Sequence, residues 1–364
     1  MTPVFLYGAM AQSAARDRVL GQGAAQTVNA QVAGHALPDV PGPLALASVG
    51  GGPLEGIILS ELIQDQLARL EFAMRVCGGE LTKVSARAET GQVSAQMWVA
   101  SPEHPSRHDR FPVEAIEQAA LTEIMGYFPH FDAKTIAQRR AMILARAAAQ
   151  VAARTPKPAD LRSRRTHDQI TQHSQSAQHQ GFFRTHTYQI EHPRFDGTTS
   201  PVLTREAFVA TDAAIVLPYD AKRDRVLLVE QFRMGPYGRG DALPWMLEPV
   251  AGRVDAGESP ETCARRECLE EAGLELQELI KISSHYCSPG CSTEYFHVYL
   301  GLCDLPDDRP AHGGLETEHE DIALHVISYD AAMALLETGE ANNGPLVLSL
   351  LWLSKTRERL RASA

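Results

Sequence analysis

Apolar and polar positions along the chain fall into two patterned blocks separated by a polar tract. In the first block, Val4–Tyr7 is a short apolar run that stops at Gly8, which predicts a strand ending in a turn. Residues 82–88 and 93–100 alternate as a strand pair joined through a turn at 89–91, and a Gly-Gly-Gly-Pro loop at 50–53 precedes another apolar run at 56–59. Ile116, Ala120, Ile124 and Tyr127 recur at helical spacing and predict a helix over 113–128. The Ala-, Arg- and Gln-rich stretch 133–154 predicts a second helix. Residues 155–180 hold almost no large apolar side chain, so burial cannot offset their ordering entropy and they read as a linker. His167, His173 and His179 recur there every six residues, a spacing that matches neither helix nor strand. The second block has near-continuous apolar strands at 213–217, 226–230, 279–284 and 297–302, then helices near 329–337 and 345–360. Such a mixture predicts an α+β or mixed α/β architecture.

At 364 residues the chain has room for two or three domains of roughly 100–200 residues each. It carries a net charge of −11, which gives no bulk attraction to phosphate backbones, so no nucleic-acid partner is expected. No run of 18 apolar residues occurs, so no membrane span is expected either. The start, MTPVFLYGAM, has no basic residue ahead of its apolar stretch and does not read as a secretory signal. The six cysteines form no paired CxxC set, so free thiols in a reducing cytoplasm are the simplest reading. His285, Cys287 and Cys291 offer three potential metal ligands without the fourth that zinc prefers.

The densest chemistry lies in Gly252-Arg-Val-Asp-Ala-Gly-Glu258-Ser-Pro-Glu-Thr-Cys-Ala-Arg-Arg266-Glu267-Cys-Leu-Glu270-Glu271-Ala-Gly273-Leu274. Ser259 suits a helix N-cap, Pro260 the first helical position and Gly273 the left-handed residue after the helix. Glu267, Glu270 and Glu271 stand at i, i+3 and i+4 and share one face. Three adjacent carboxylates are tolerable when solvated or when a hard divalent cation, Mg²⁺ or Mn²⁺, neutralises them. Arg266 and Glu258 are placed to pin the preceding loop to the helix. On carboxylate spacing alone, an ordinary acidic surface helix is the better fit.

The full spacing resembles the Nudix box at every defining position, and this resemblance implies a Nudix α/β/α sandwich with hydrolase activity on nucleoside diphosphates linked to another group. It implies Glu267 and Glu271 as principal metal ligands and catalytic residues, Glu270 as a supporting ligand, the Ala251 carbonyl as a further one, and Glu258 and Arg266 as the structural pair of the box. Gly181-Phe-Phe, Thr204-Arg-Glu, Val229-Glu-Gln-Phe-Arg233, Trp245-Met-Leu-Glu-Pro-Val-Ala-Gly252, Ser288-Pro-Gly and Glu320-Asp-Ile resemble the bacterial ADP-ribose pyrophosphatases. Pro289, sixteen positions after Gly273, is that group's mark for ADP-ribose. The resemblance implies adenine stacking by Phe182 across a domain-swapped homodimer and nucleotide contacts from Arg205 and Glu206. It further implies binding of the pyrophosphate or terminal phosphate by Arg233, backbone approach at Gly252, and Ser288 and Glu294 on a loop over the terminal ribose. It puts the general base at Glu318, with Glu316 and Glu320 as alternates. The expected reaction is Mg²⁺-dependent hydrolysis of ADP-ribose to AMP and ribose 5-phosphate. Another nucleotide sugar or a dinucleotide as substrate, or nucleotide sensing without cleavage, are the alternatives.

Phe5-Leu-Tyr7-Gly8-Ala-Met, Gly34, Leu54-Glu-Gly56 and the helix around 67–70 resemble the γ-glutamylcyclotransferase-like (AIG2-like) family, which implies a small barrel over about 1–128. Residues 129–180 are then a helical and polar linker, and 181–364 the Nudix domain. In that family the Tyr-Gly loop, here Tyr7 and Gly8, cradles a substrate carboxylate, and a glutamate transfers the proton. Met74 stands at that glutamate's place, with Glu71 and Glu80 nearby, so a binding or structural role is expected rather than catalysis. Fusions of these two domain types resemble bacterial proteins linked to tellurite resistance.

Overall fold

The computed structural model describes residues 2–21, 26–38, 44–100, 113–308, 310–315 and 320–364. They divide into two compact units, Met1–Arg164 with Asp255–Glu258, and Arg165–Val254 with Ser259–Ala364. The architecture is mixed α+β.

The first unit is built on a closed five-stranded barrel ordered Val4–Tyr7, Leu54–Ser60, Gln26–Val32, Gly79–Ala88 and Gly91–Ala100. Neighbours are antiparallel except at the closure, where Val4 pairs with Gln96 in parallel. The interior is narrow because alanines at 30, 86, 88 and 95 alternate with Phe5, Ile58 and Met97. Helices Ser13–Leu20, Gln64–Val76, Val113–Met125 and Arg140–Ala152 pack around a second cluster that includes Leu70, Leu121, Ile124 and Tyr127.

Two helix expectations need correction here. The helix expected to reach 128 stops at Met125, ahead of Gly126 and Pro129, whose ring disfavours helical backbone at the residue before it. The single helix expected over 133–154 is two, Ala133–Ala137 and Arg140–Ala152, parted at Gln138 and Arg139. Both of those residues are good helix formers, so composition carries no sign of the break; Arg139 sits at φ −97°, ψ 2°.

In the second unit a three-stranded antiparallel sheet runs Leu203–Val209, Arg184–Glu191, Thr171–Gln180. Its last strand lies inside the tract read as a linker. The strand forms although almost all its side chains are exposed, because its backbone groups pair with Arg184–Glu191 and need no apolar side chains to do so. Register shifts at 172/174 and 177/179 mark two bulges, and His173 meets Glu191 at 2.9 Å.

An eight-stranded mixed sheet forms the centre of this unit. Its path is Glu278–Tyr286, Tyr295–Leu302, Asp212–Asp220, Arg225–Phe232, Ile322–Ser328 and His312–Gly313, with Trp245–Glu248 and Val250–Arg253 paired beside it. Val226, Leu227, Leu228 and Val229 are all fully buried because both faces are covered. Leu227 and Val229 join the cluster under the helix Pro260–Ala272, while Val226 and Leu228 join the one under helices Tyr329–Thr338 and Gly344–Ala362. The near-continuous apolar run in the sequence is therefore the interior strand of a helix–sheet–helix sandwich.

Asp224, at φ 55°, holds the last helix to the sheet. It accepts bonds from Tyr219 Oη at 2.7 Å and Arg357 Nε at 3.0 Å, and it pairs with Arg361. These cations hold its carboxyl below the usual range. Asp224→Asn, which keeps a side chain tolerant of positive φ, is expected to lower the unfolding free energy by about 1–2 kcal/mol in urea titration at neutral pH. Because a depressed pKa stabilises only above the unfolded value, the difference from the parent is expected to shrink as pH falls below about 4.

Candidate functional site

The helix Pro260–Ala272 begins and ends as its caps dictate. Ser259 Oγ accepts from Thr262 N at 3.1 Å, Pro260 fills the first turn, and Gly273 closes it at φ 58°. Its lower face, with Cys263, Ala264, Cys268 and Ala272, sits on the sheet cluster. Tyr299 Oη donates to Glu261 Oε1 at 3.0 Å from the sheet below, which fixes the first turn.

Glu267, Glu270 and Glu271 share this helix, but their environments differ. Glu271 is 2% exposed, and its Oε2 accepts from Ala251 N at 3.4 Å. The Glu267 side chain is 13% exposed and Glu270 28%. Gly252 lies directly beneath Glu267: a Cβ built there would fall 1.9 Å from the carboxylate carbon, so any larger residue would displace the Glu267 side chain. On the other side, Gly313 lets the short strand His312–Gly313 reach the helix end. A Cβ there would meet the Glu271 carbonyl at 1.8 Å, and Gly314 N donates to that carbonyl at 3.2 Å. The two buried carboxylates thus face the Ala251–Gly252 backbone from one helix face.

Burial shapes their acidity. It pushes Glu267 up to about 7, against the pull of Arg266, with Glu270 and Glu320 adding repulsion. It pushes Glu271 up to about 8, with Glu267 and Glu320 raising it further and the Ala251 N–H and Arg233 opposing. Glu320 belongs to the acidic loop expected to carry the base, and its Oε2 accepts from Leu315 N at 3.1 Å. The first-choice base Glu318 and the alternate Glu316 lie outside the described residues.

Arg266 is shared. It donates to Glu267 Oε1 at 2.7 Å, Glu270 Oε2 at 2.8 Å and the Arg253 carbonyl at 3.2 Å. Glu258 accepts from Asp255 N at 3.2 Å. As the side chains stand, no three His, Cys, Asp or Glu among the described residues are gathered to hold a metal ion, and Arg266 holds two of the box carboxylates. The donor set nonetheless fits a hard divalent cation. Two buried, mutually repelling carboxylates face a strand backbone, and ionising both without a cation is unfavourable.

The other expected residues are spread around this centre. Arg233 ends the strand Arg225–Phe232, donates to Glu248 Oε2 at 2.6 Å, and its charge is felt by Glu271. Ser288 and Glu294 lie on the loop between two sheet strands, where Cys287 Sγ donates to Glu294 Oε2 at 3.0 Å and Ser288 Oγ meets Cys291 Sγ at 3.3 Å. That loop is tied to the three-stranded sheet through Phe208 N to the Cys291 carbonyl at 2.7 Å and Thr293 N to the Phe208 carbonyl at 3.0 Å. Phe182 is 60% exposed in the tight turn before Arg184–Glu191, edge-on to Phe183, and Arg205 and Glu206 are exposed on Leu203–Val209.

Sequence reasoning missed Glu248 as the partner of Arg233 and Tyr299 as the helix anchor. Neither carries a local signal, because each acts across the sheet.

In the first unit, Tyr7 is a buried barrel residue whose hydroxyl donates to the Trp98 carbonyl at 2.6 Å and accepts from Ala47 N at 2.9 Å. Gly8, at φ 55°, opens a short 3-10 turn. Met74 is buried, while Glu80 is exposed and Glu71 is an exposed partner of Arg75.

The NUDIX domain family matches residues 209–350. The chain is 38% identical over 183 residues to the ADP-ribose pyrophosphatase of Escherichia coli strain K12, covering 50% of this chain and 87% of that protein. The ADP-ribose pyrophosphatase of Haemophilus influenzae is 38% identical over 187 residues, covering 51% and 86%. A GDP-mannose pyrophosphatase of Escherichia coli O139:H28 is 33% identical over 172 residues, covering 47% and 88%. A box helix with buried paired carboxylates and identity spanning most of these enzymes place the chain in the Nudix family, as a Nudix hydrolase.

Proposed function

We propose that the second unit hydrolyses ADP-ribose to AMP and ribose 5-phosphate with Mg²⁺, or Mn²⁺ in its place. The observation that carries this reading is the pair of buried carboxylates, Glu267 and Glu271, set against the Ala251–Gly252 backbone. Glu267, Glu270, Glu271 and the Ala251 carbonyl would hold the cation once Arg266 yields the two carboxylates it holds. Bound there, a divalent ion supplies Lewis-acid neutralisation of phosphoryl charge and acidifies water. Arg233, oriented by Glu248, offers a guanidinium to the diphosphate, and Gly252 keeps the backbone approach open. Ser288 and Glu294 would meet the terminal ribose. Glu318 is the proposed base, with Glu316 or the neighbouring Glu320 as its alternates.

ADP-ribose is favoured over other nucleotide sugars by Pro289 and by the pyrophosphatases at 38% identity. Phe182, Arg205 and Glu206 would read the adenosine from a second copy of the chain in a homodimer. Their exposure on the three-stranded sheet leaves them available for that role. The barrel of the first unit is read as γ-glutamylcyclotransferase-like, with a binding or structural role.

Glu267→Gln is expected to lower kcat on ADP-ribose at least ~10²-fold, since metal stabilisation of phosphoryl charge is worth several kcal/mol. Near-parental turnover would remove the metal role. Across ADP-ribose, ADP-glucose, GDP-mannose and NADH, kcat/KM is expected to favour ADP-ribose by at least ~10-fold. Equal rates would remove the substrate assignment.

The raised carboxyls also set a pH dependence. A carboxyl with a folded pKa above its unfolded value stabilises the fold at low pH, and that contribution is lost as pH rises through the folded value. The metal-free protein is therefore expected to lose Tm between about pH 5 and pH 8, and added Mg²⁺ to raise Tm more at pH 8 than at pH 5.5. In the Glu267→Gln, Glu271→Gln double variant, calorimetry is expected to find this Mg²⁺ increment gone at both pH values.

A further inference from the structure

The first unit contains a small cavity that the hydrolase chemistry does not use. It holds about 20 Å³, room for a single water-sized or ion-sized guest. Three sulfur-bearing side chains line it. Met74 and Cys77 are three residues apart at the end of the helix Gln64–Val76 and so share a face, and Met10 comes from the 3-10 turn Gly8–Ala11. All three are buried, at 3%, 8% and 6% exposure, and the Cys77 thiol is free.

The remaining lining is apolar apart from Tyr7, and the Tyr7 hydroxyl is committed to the Trp98 carbonyl and the Ala47 N–H. The nearby buried Glu117 is also engaged, accepting from Leu44 N at 2.9 Å. Among the described residues no imidazole or carboxylate lines the cavity. A hard cation would find none of the carboxylate donors it prefers there, whereas one thiol and two thioethers form a soft set.

We propose that Cys77, Met74 and Met10 form a binding site for one soft monovalent metal ion, of the Cu(I) or Ag(I) class. Charge favours this choice. The Cys77 thiol gives up its proton to solvent as the sulfur–metal bond forms, so one thiolate and one monovalent cation bury no net charge. A divalent ion on the same three sulfurs leaves an uncompensated positive charge in an apolar wall. These residues come to the cavity from two separate elements, so the site exists only in the folded unit.

The test uses the full chain with Cys287→Ser and Cys291→Ser, which removes the two exposed thiols. Under anaerobic conditions it is titrated with Cu(I) against a chromophoric Cu(I) chelator. One equivalent retained, with an X-ray absorption spectrum showing a sulfur-only shell, is expected. Adding Cys77→Ser is expected to abolish retention. Met10→Leu with Met74→Leu, a swap that keeps volume, is expected to weaken it by at least ~10-fold. Failure of the parent to retain Cu(I), retention unchanged by Cys77→Ser, or a shell dominated by oxygen or nitrogen overturns the proposal. Where Cys77→Ser does not fold by circular dichroism, the methionine pair decides: unchanged affinity there also overturns it.

Discussion

The second unit depends on holding two carboxylates out of water at one point. Glu267 and Glu271 are pressed toward the Ala251–Gly252 backbone by the packing of their helix on the sheet. Burial favours their neutral forms, so the metal-free site carries stored electrostatic tension that Arg266 relieves only in part. Much of the surrounding structure maintains that arrangement. Gly252 and Gly313 clear the space on either side, Tyr299 anchors the helix start, and both helix ends are capped by sequence. Ionising both carboxylates calls for charge compensation, which the proposed hard cation would supply.

Around that centre, the parts that would recognise substrate are held differently. Arg233 and Glu248 are fixed by the register of two paired strands. Ser288 and Glu294 ride on a loop stitched to the three-stranded sheet by backbone bonds at Phe208. Those bonds join the strand Leu203–Val209, which carries Arg205 and Glu206, to the loop of the residues proposed to meet the ribose. Glu271 is buried, whereas Phe182, Arg205 and Glu206 are exposed.

The first unit follows another logic. Its barrel closes around small side chains, and Tyr7 serves as an internal strut between two backbone segments. Where the cyclotransferase-like resemblance expects a glutamate, Met74 joins Met10 and Cys77 around a cavity of ionic size.

The box helix, its caps, the Tyr7–Gly8 corner and most sandwich strands were legible in the sequence because each rests on local spacing: glutamates at i, i+3 and i+4, a Ser-Pro start, a glycine stop and runs of apolar residues. Other features depend on partners far along the chain. Thr171–Gln180 becomes a strand only because Arg184–Glu191 offers backbone groups to pair with, and a polar sequence does not announce that. The spacing put three glutamates on one face, but packing decided that Glu271 is buried while Glu270 keeps contact with water. The break at Gln138–Arg139, the Arg233–Glu248 pair and the meeting of Met10, Met74 and Cys77 around one cavity were likewise decided by tertiary structure, because local propensity is blind to contacts between residues distant in sequence.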